Sequence, residues 1–447
     1  MMSYAEVEKN SVHDDTDAYA PSACFDPLTT TAFELKALLE SGIVTSVGLV
    51  EIYSKQIATY DDYLQAVIQV STTAAQQARA LDEERLNGRV RGPLHGIPIL
   101  LKDNMATVEN LGLNTTCGTP ALVSSKHKQN ATIVDKLLEA GLIILAKTQL
   151  TEDNASRHIP QETLIQAIPN LDTRAALYAL RPTMGLVSQG GIFPASSFVD
   201  TAGPMCKTPQ DLALLLDVLA DDYPGRGAAA SYTSYLEGSW KGLRVGTLDP
   251  TTWRFGTEVQ KEIRETKAAY EMIKPLCGAY HEIDLISPAK FVQDGKHIMM
   301  EVFSPGEKRK RTQLSDLRDD TDYSGQDVLL ACQGNQIDAT TAESLWGKAQ
   351  SIGRELGIDK ALNNLEIDVI LAPSDSTFSQ LVSAAGYPSA TMPLSYLEYN
   401  GRPFGVSVFS TAYTEPTLVK VLSAWEKTFG PRQPPRMRFG QQATSKV

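Results

Sequence analysis

The apolar positions of this chain alternate between two periods. In "TAFELKALLESG" they recur at helical spacing, with Phe33, Leu35, Leu38 and Leu39 near one face. Thr31 and Glu34 stand at capping-box distance at the start, and Gly42 closes the end. The same logic predicts helices over Ser46 to Thr59 and from about Thr72 to Leu86. In "NATIVDKLLEAGLIILAKT" the period changes within one segment. Asn130 is a candidate cap, and Ile133, Val134, Leu137 and Leu138 repeat helically. Gly141 stops the helix, and Leu142 to Ala146 is an unbroken apolar strand. Further on, "KTPQDLALLLDVLA" opens a helix with Thr208 at the cap, Pro209 in the first turn and Asp211 three residues past the cap. "GLRVGTL" and "IDVILAP" are short apolar strands.

Strands and helices alternate throughout, so the expectation is one large α/β domain. Residues 1–27 are polar and unpatterned and are expected to be a flexible arm; 28–435 form the domain, 285–345 a peripheral helical region and 436–447 a tail. The chain has 447 residues and 42% hydrophobic content, enough for a large core. No apolar run reaches the roughly 20 residues that span a bilayer, and the N-terminus lacks a secretory pattern, so the sequence points to the cytoplasm. A net charge of −12 argues against a nucleic-acid surface, and the one basic cluster, Lys308 to Arg311, is read as a solvated helix face. The five cysteines are odd in number and scattered, which points to reduced thiols.

One stretch draws attention to chemistry. In "GPLHGIPILLKDN" the apolar run from Ile97 to Leu101 ends directly on Lys102. Such a lysine either snorkels outward or pairs with Asp103; alternatively, desolvation makes it surrender its proton and serve as a base.

"RGPLHGIPILLKDN", then "GLNTTCGTPALV", "AGLIILAKTQLTE", the long block from "ALYALRPTMGLVSQGG" to "KTPQDLALLLDVL", and finally "IDVILAPS", "AGYPSATMPLSY" and "RPFGVSVFSTAYTEPTLVKVLSAWE" closely resemble the amidase signature family of serine hydrolases. These blocks run in family order over about residues 28 to 430. The resemblance implies a mixed, twisted sheet covered by helices on both faces. It also implies amide hydrolysis by a Ser-Ser-Lys triad, in which Lys102 matches the base, a bridging serine relays its proton and a second serine attacks the carbonyl.

The family's Gly/Ser-rich signature is missing. Between "AKTQLTEDNASRH" and "ALYALRPT" nothing resembles it, so part of the central active-site region is expected to be deleted, on the order of 45 to 60 residues. Counted back from Arg174, Ala167 falls on the nucleophile position and Gln166 and Ile165 on the oxyanion turn; an alanine methyl cannot attack a carbonyl. A seam at 157–162, where coding residues were removed as an intron, would give the same sequence.

Substitute nucleophiles are few. Ser188, Ser196 and Ser197 are read as turn hydroxyls, Ser156 has no oxyanion cradle around it, and Cys117 is a more reactive atom type in a segment the family fold brings near the lysine. His95 and His158 lack metal-ligand spacing and are read as structural. Three functions follow: an amidase of small molecules with an unrecognised nucleophile, a ligand-binding or scaffold protein that has lost hydrolysis, and a non-hydrolytic enzyme using Lys102. No cofactor and no metal are expected; the partner is a small-molecule substrate or ligand, without nucleic acid or membrane, and a homodimer is compatible with the sequence.

Overall fold

The computed structural model describes residues 24–118, 122–149, 176–194, 196–222, 231–253, 260–293, 295–302, 337–398 and 401–434. Its first half carries α1 (Ala32–Glu40), α2 (Ser46–Leu64), β1 (Val67–Val70), α3 (Ala74–Leu86), β2 (Pro98–Lys102), α4 (Thr132–Glu139) and β3 (Ile143–Thr148). Then come β4 (Tyr178–Arg181), β5 (Met205–Cys206), α5 (Pro209–Leu219), β6 (Arg244–Leu248), α6 (Gln260–Ile273) and β7 (Ala279–Ile283). A small hairpin, β8 (Val292–Gln293) and β9 (Lys296–His297), precedes α7 (Ile298–Val302) and α8 (Ala339–Gly353). The chain closes with α9 (Asp359–Leu365), β10 (Val369–Pro373), α10 (Phe378–Ala385), β11 (Ser389–Tyr396), β12 (Pro403–Phe409) and α11 (Glu415–Phe429).

The expected mixed α/β architecture is present, with the strands shared between two main sheets. Three strands run in the order β1-β3-β2 and seven in the order β5-β4-β11-β12-β10-β6-β7. Parallel pairs (β2 with β3, β10 with β6, β6 with β7) and antiparallel pairs (β10 with β12, β11 with β12) coexist. Both faces of the larger sheet are covered. On β10, Val369 and Leu371 join one core with Trp425 and Leu422 of α11, while Ile370 and Ala372 join the other with Phe378 and Leu381 of α10. This two-sided burial is why "IDVILAP" has no polar alternation.

Two connections unite the sheets. The turn after β2 is zipped to the stretch after β4: the Phe193 amide donates to the Asn104 carbonyl (2.8 Å), the Asn104 side-chain amide donates to the Phe193 carbonyl (3.0 Å), and the Ala106 amide donates to the Gly191 carbonyl (3.0 Å). Helix α5 then spans both cores, with Leu212 and Leu216 against the larger sheet and Leu214, Leu215 and Leu219 against the smaller.

The locally coded caps hold. Thr31 and Glu34 form the capping box of α1, and Thr208 accepts from the Asp211 amide at α5. Asp211 does more than its spacing announces. Its buried carboxylate accepts the Ala32 and Phe33 amides at 3.0 and 2.8 Å, capping α1 from 178 residues away. Three expectations need correction. Phe33 is 48% exposed, so the buried stripe of α1 is Leu35 and Leu39. Helix α2 runs on past Thr59 to Leu64, ending where Gln65 turns left-handed. Asn130 does not cap α4: Ala131 is the N-cap, and Asn130 accepts the Val108 amide instead (2.8 Å), while the Gly190 carbonyl takes the Thr132 amide (3.0 Å). Gly141 does end α4, at φ +82°. A Cβ there would lie 2.7 Å from the His95 ring, so the position excludes larger residues on two grounds. Of the 285–345 region, the described part supplies Phe291, Ile298 and Met299 to the core beside α10; the basic cluster at 308–311 lies outside the described residues, as do most of the N-terminal arm and the C-terminal tail.

Asp211→Ala strips the donors of α1 of their acceptor inside a buried junction. It is expected to lower stability by about 2 kcal/mol, read from urea unfolding midpoints, whereas Glu34→Ala at the exposed capping box costs under half as much.

Candidate active site

Strand β2 carries Lys102 on its last residue, paired in parallel register with Thr148 of β3, and Leu101 is opposite Lys147. Lys102 is exposed at this edge, while the next residue, Asp103, is completely buried. The Asp103 carboxylate accepts from the Thr116 amide (3.1 Å), the Thr116 hydroxyl (2.5 Å) and the Gly118 amide (3.1 Å). The loop thus wraps an anion that the chain itself supplies. Cys117 sits between those donors, buried and left-handed at φ +52°, with Gly118 following at φ +71°. The amides on either side of Cys117, those of Thr116 and Gly118, both donate to the Asp103 carboxylate.

Sequence reasoning misses Lys147. It is fully buried on the central strand of the smaller sheet, with Nζ donating to the Met105 carbonyl (2.5 Å) and the Thr115 hydroxyl (3.0 Å). Burial lowers its pKa from 10.5 to about 8, against the opposing pull of Asp103 and Cys117. The available signal is a charge inside an otherwise apolar, two-sided strand. The apolar pattern marks that strand only as far as Ala146, one residue short.

Among the described residues, the threonine hydroxyls around this corner hold backbone or the Asp103 carboxylate. Thr116 serves Asp103, Thr115 donates to the Met105 carbonyl (3.3 Å), Thr107 to the Leu113 carbonyl (3.3 Å) and Thr148 to the Leu101 carbonyl (3.4 Å). Ser188 and Ser196 accept the Gly190 and Phe198 amides, each two residues on, as turn hydroxyls do. His95 is buried. Its Nε2 meets the Leu81 carbonyl (3.0 Å), its Nδ1 accepts the Arg91 amide (3.3 Å), and burial depresses its pKa, all of which marks a structural, neutral ring. The structure therefore brings Lys102, Asp103, Cys117 and Lys147 to one corner. Ala167, Gln166, Ile165, Ser156 and His158 lie outside the described residues. Among the described residues no group of three or more His, Cys, Asp or Glu could hold a metal, and no helix is long and apolar enough to cross a membrane.

With this geometry in hand, comparison with known proteins is decisive about ancestry. The amidase family profile matches residues 48–162 and 175–379, and the chain belongs to that family. A protein of Schizosaccharomyces pombe assigned as an amidase is 26% identical over 502 aligned positions, covering 89% of this chain and 84% of the relative. A glutamyl-tRNA(Gln) amidotransferase subunit of Chloroflexus aurantiacus is 26% identical, covering 90% of this chain and 96% of its own. The structure of native peptide amidase from Stenotrophomonas maltophilia superimposes with a TM-score of 0.77 at 25% identity, over 91% of this chain and 98% of that one. The 502 aligned positions exceed the 447 residues of this chain, so the S. pombe relative carries segments that this chain lacks. The family match itself breaks between 162 and 175.

Lys147 generates a defined pH dependence. An unfolded lysine keeps its proton to about 10.5, whereas the folded one releases it near 8, so between these values the unfolded state binds more protons and stability rises with pH. Below pH 8 the full cost of the buried charge is present. The rise amounts to at most about 3 kcal/mol, and Lys147→Met is expected to abolish it in urea midpoints measured from pH 7.5 to 10.5.

Proposed function

We propose that this chain is an amidase-family protein of small-molecule metabolism that does not hydrolyse amides by the Ser-Ser-Lys route as it stands, and that it binds a small molecule at the Lys102 corner. The observation that carries this reading is the corner itself. By its resemblance Lys102 corresponds to the family base; among the described residues beside it, the Thr116 and Gly118 amides donate to Asp103, and the Thr107, Thr115, Thr116 and Thr148 hydroxyls bond backbone or that same carboxylate. An acyl-transfer site needs a free hydroxyl beside its base and unspent donors for the oxyanion. Ala167 at the nucleophile position and the interrupted family match support the same conclusion.

A second reading is favoured by a specific fact. The relatives are matched over most of their length, and several are named as amidases. If the natural protein carries the Gly/Ser-rich segment that is missing at the 157–162 seam, it is an active amidase with Lys102 as base. An intracellular site of action and a homodimer accord with either reading.

The intact mass of the natural protein separates the two: 48.7 kDa is expected, and a value several kilodaltons higher restores the hydrolase. On the chain as given, a fluorophosphonate probe is expected to leave every serine unlabelled and aryl or peptide amides uncleaved. Grafting the corresponding segment of the S. pombe relative between 149 and 176 is expected to create labelling that Lys102→Ala abolishes. Stoichiometric labelling of the ungrafted chain refutes the loss of hydrolysis.

A further inference from the structure

We propose that Lys147 is the positioning residue of the Lys102 corner, its amine locking the turn that follows β2 against the loop that encloses Asp103 and Cys117. The proposal rests on the reading of that corner as the functional site, and it holds whether or not the site turns over an amide.

Lys147 reaches two walls at once: the Met105 carbonyl belongs to the turn 102–105, which Lys102 begins, and Thr115 belongs to the loop 115–118. Thr115 passes the restraint on, since its hydroxyl also accepts the Thr107 amide (3.2 Å) and donates to the Met105 carbonyl. The same turn is closed by the Met105 amide donating to the Lys102 carbonyl (3.1 Å), so a shift at Met105 moves the backbone that orients Lys102. The far wall holds the left-handed pair Cys117 and Gly118, a conformation that a cysteine keeps only under restraint. A two-donor amine suits the site because one N–H goes to each wall. A methionine of similar length would fill the space and hold neither.

A burial role alone would be met by any side chain of the right volume, so the test separates packing from hydrogen bonding. In the full-length chain, Lys147→Ala is expected to speed hydrogen exchange over 113–118 at least ten-fold, relative to an unchanged 132–139 in α4, and to speed iodoacetamide alkylation of Cys117 similarly. n-Propylamine, the fragment lost, is expected to restore protection, and 1-propanol, of the same size, is not. Unchanged exchange over 113–118, or equal rescue by the alcohol, overturns the proposal. Should Lys147→Ala fail to fold, Lys147→Met keeps the volume and removes both hydrogen bonds of the clasp. A several-fold rise in the same two readouts is then expected, and no rise refutes the proposal. None of these readouts depends on turnover, so they stand apart from the labelling experiments on hydrolysis.

Discussion

The structure depends on a joint. The smaller sheet and the larger share no ladder, and the turn after β2 meets the stretch after β4 through two backbone hydrogen bonds and one from the Asn104 side chain, centred on Asn104 and Gly191. Buried backbone groups must be paired somewhere, and here they are paired across the boundary. Every feature of the candidate site lies on one side of that joint: Lys102 and Asp103 just before it, the enclosing loop just after it, and Lys147 on the adjacent strand.

The electrostatics of the corner follow from its burial. A fully buried carboxylate is tolerable only with donors around it, and Asp103 has three. A fully buried amine is tolerable with acceptors, and Lys147 has two, with Asp103 and Cys117 acting on it from nearby. These two charges hold the architecture of the loop. The corner is thus well satisfied as structure.

Much of the fold is legible in the sequence because much of it is local. The caps at Thr31 and Thr208 and the stop at Gly141 are encoded within a few residues of the elements they bound. Asn130 looks like a cap because its actual partner, Val108, is 22 residues back and belongs to a loop with no periodicity. The long-range cap from Asp211 to α1 and the division into two sheets are invisible for the same reason: pairing partners are a tertiary fact. At the site, the family blocks locate Lys102, while Lys147 is hidden in an apolar run that accounts for itself as a strand. Its role depends on where Met105 and Thr115 arrive, which no spacing in the sequence reports.

Helix α5 gives the molecule a mechanical property. Leucines on its opposite sides are committed to different cores, and its first turn also anchors α1 through Asp211. Neither half can melt while keeping this helix intact, and losing the helix strips both. The two sheets are therefore coupled into a single cooperative unit, and heating should yield one calorimetric transition where a pair of sheets would suggest two.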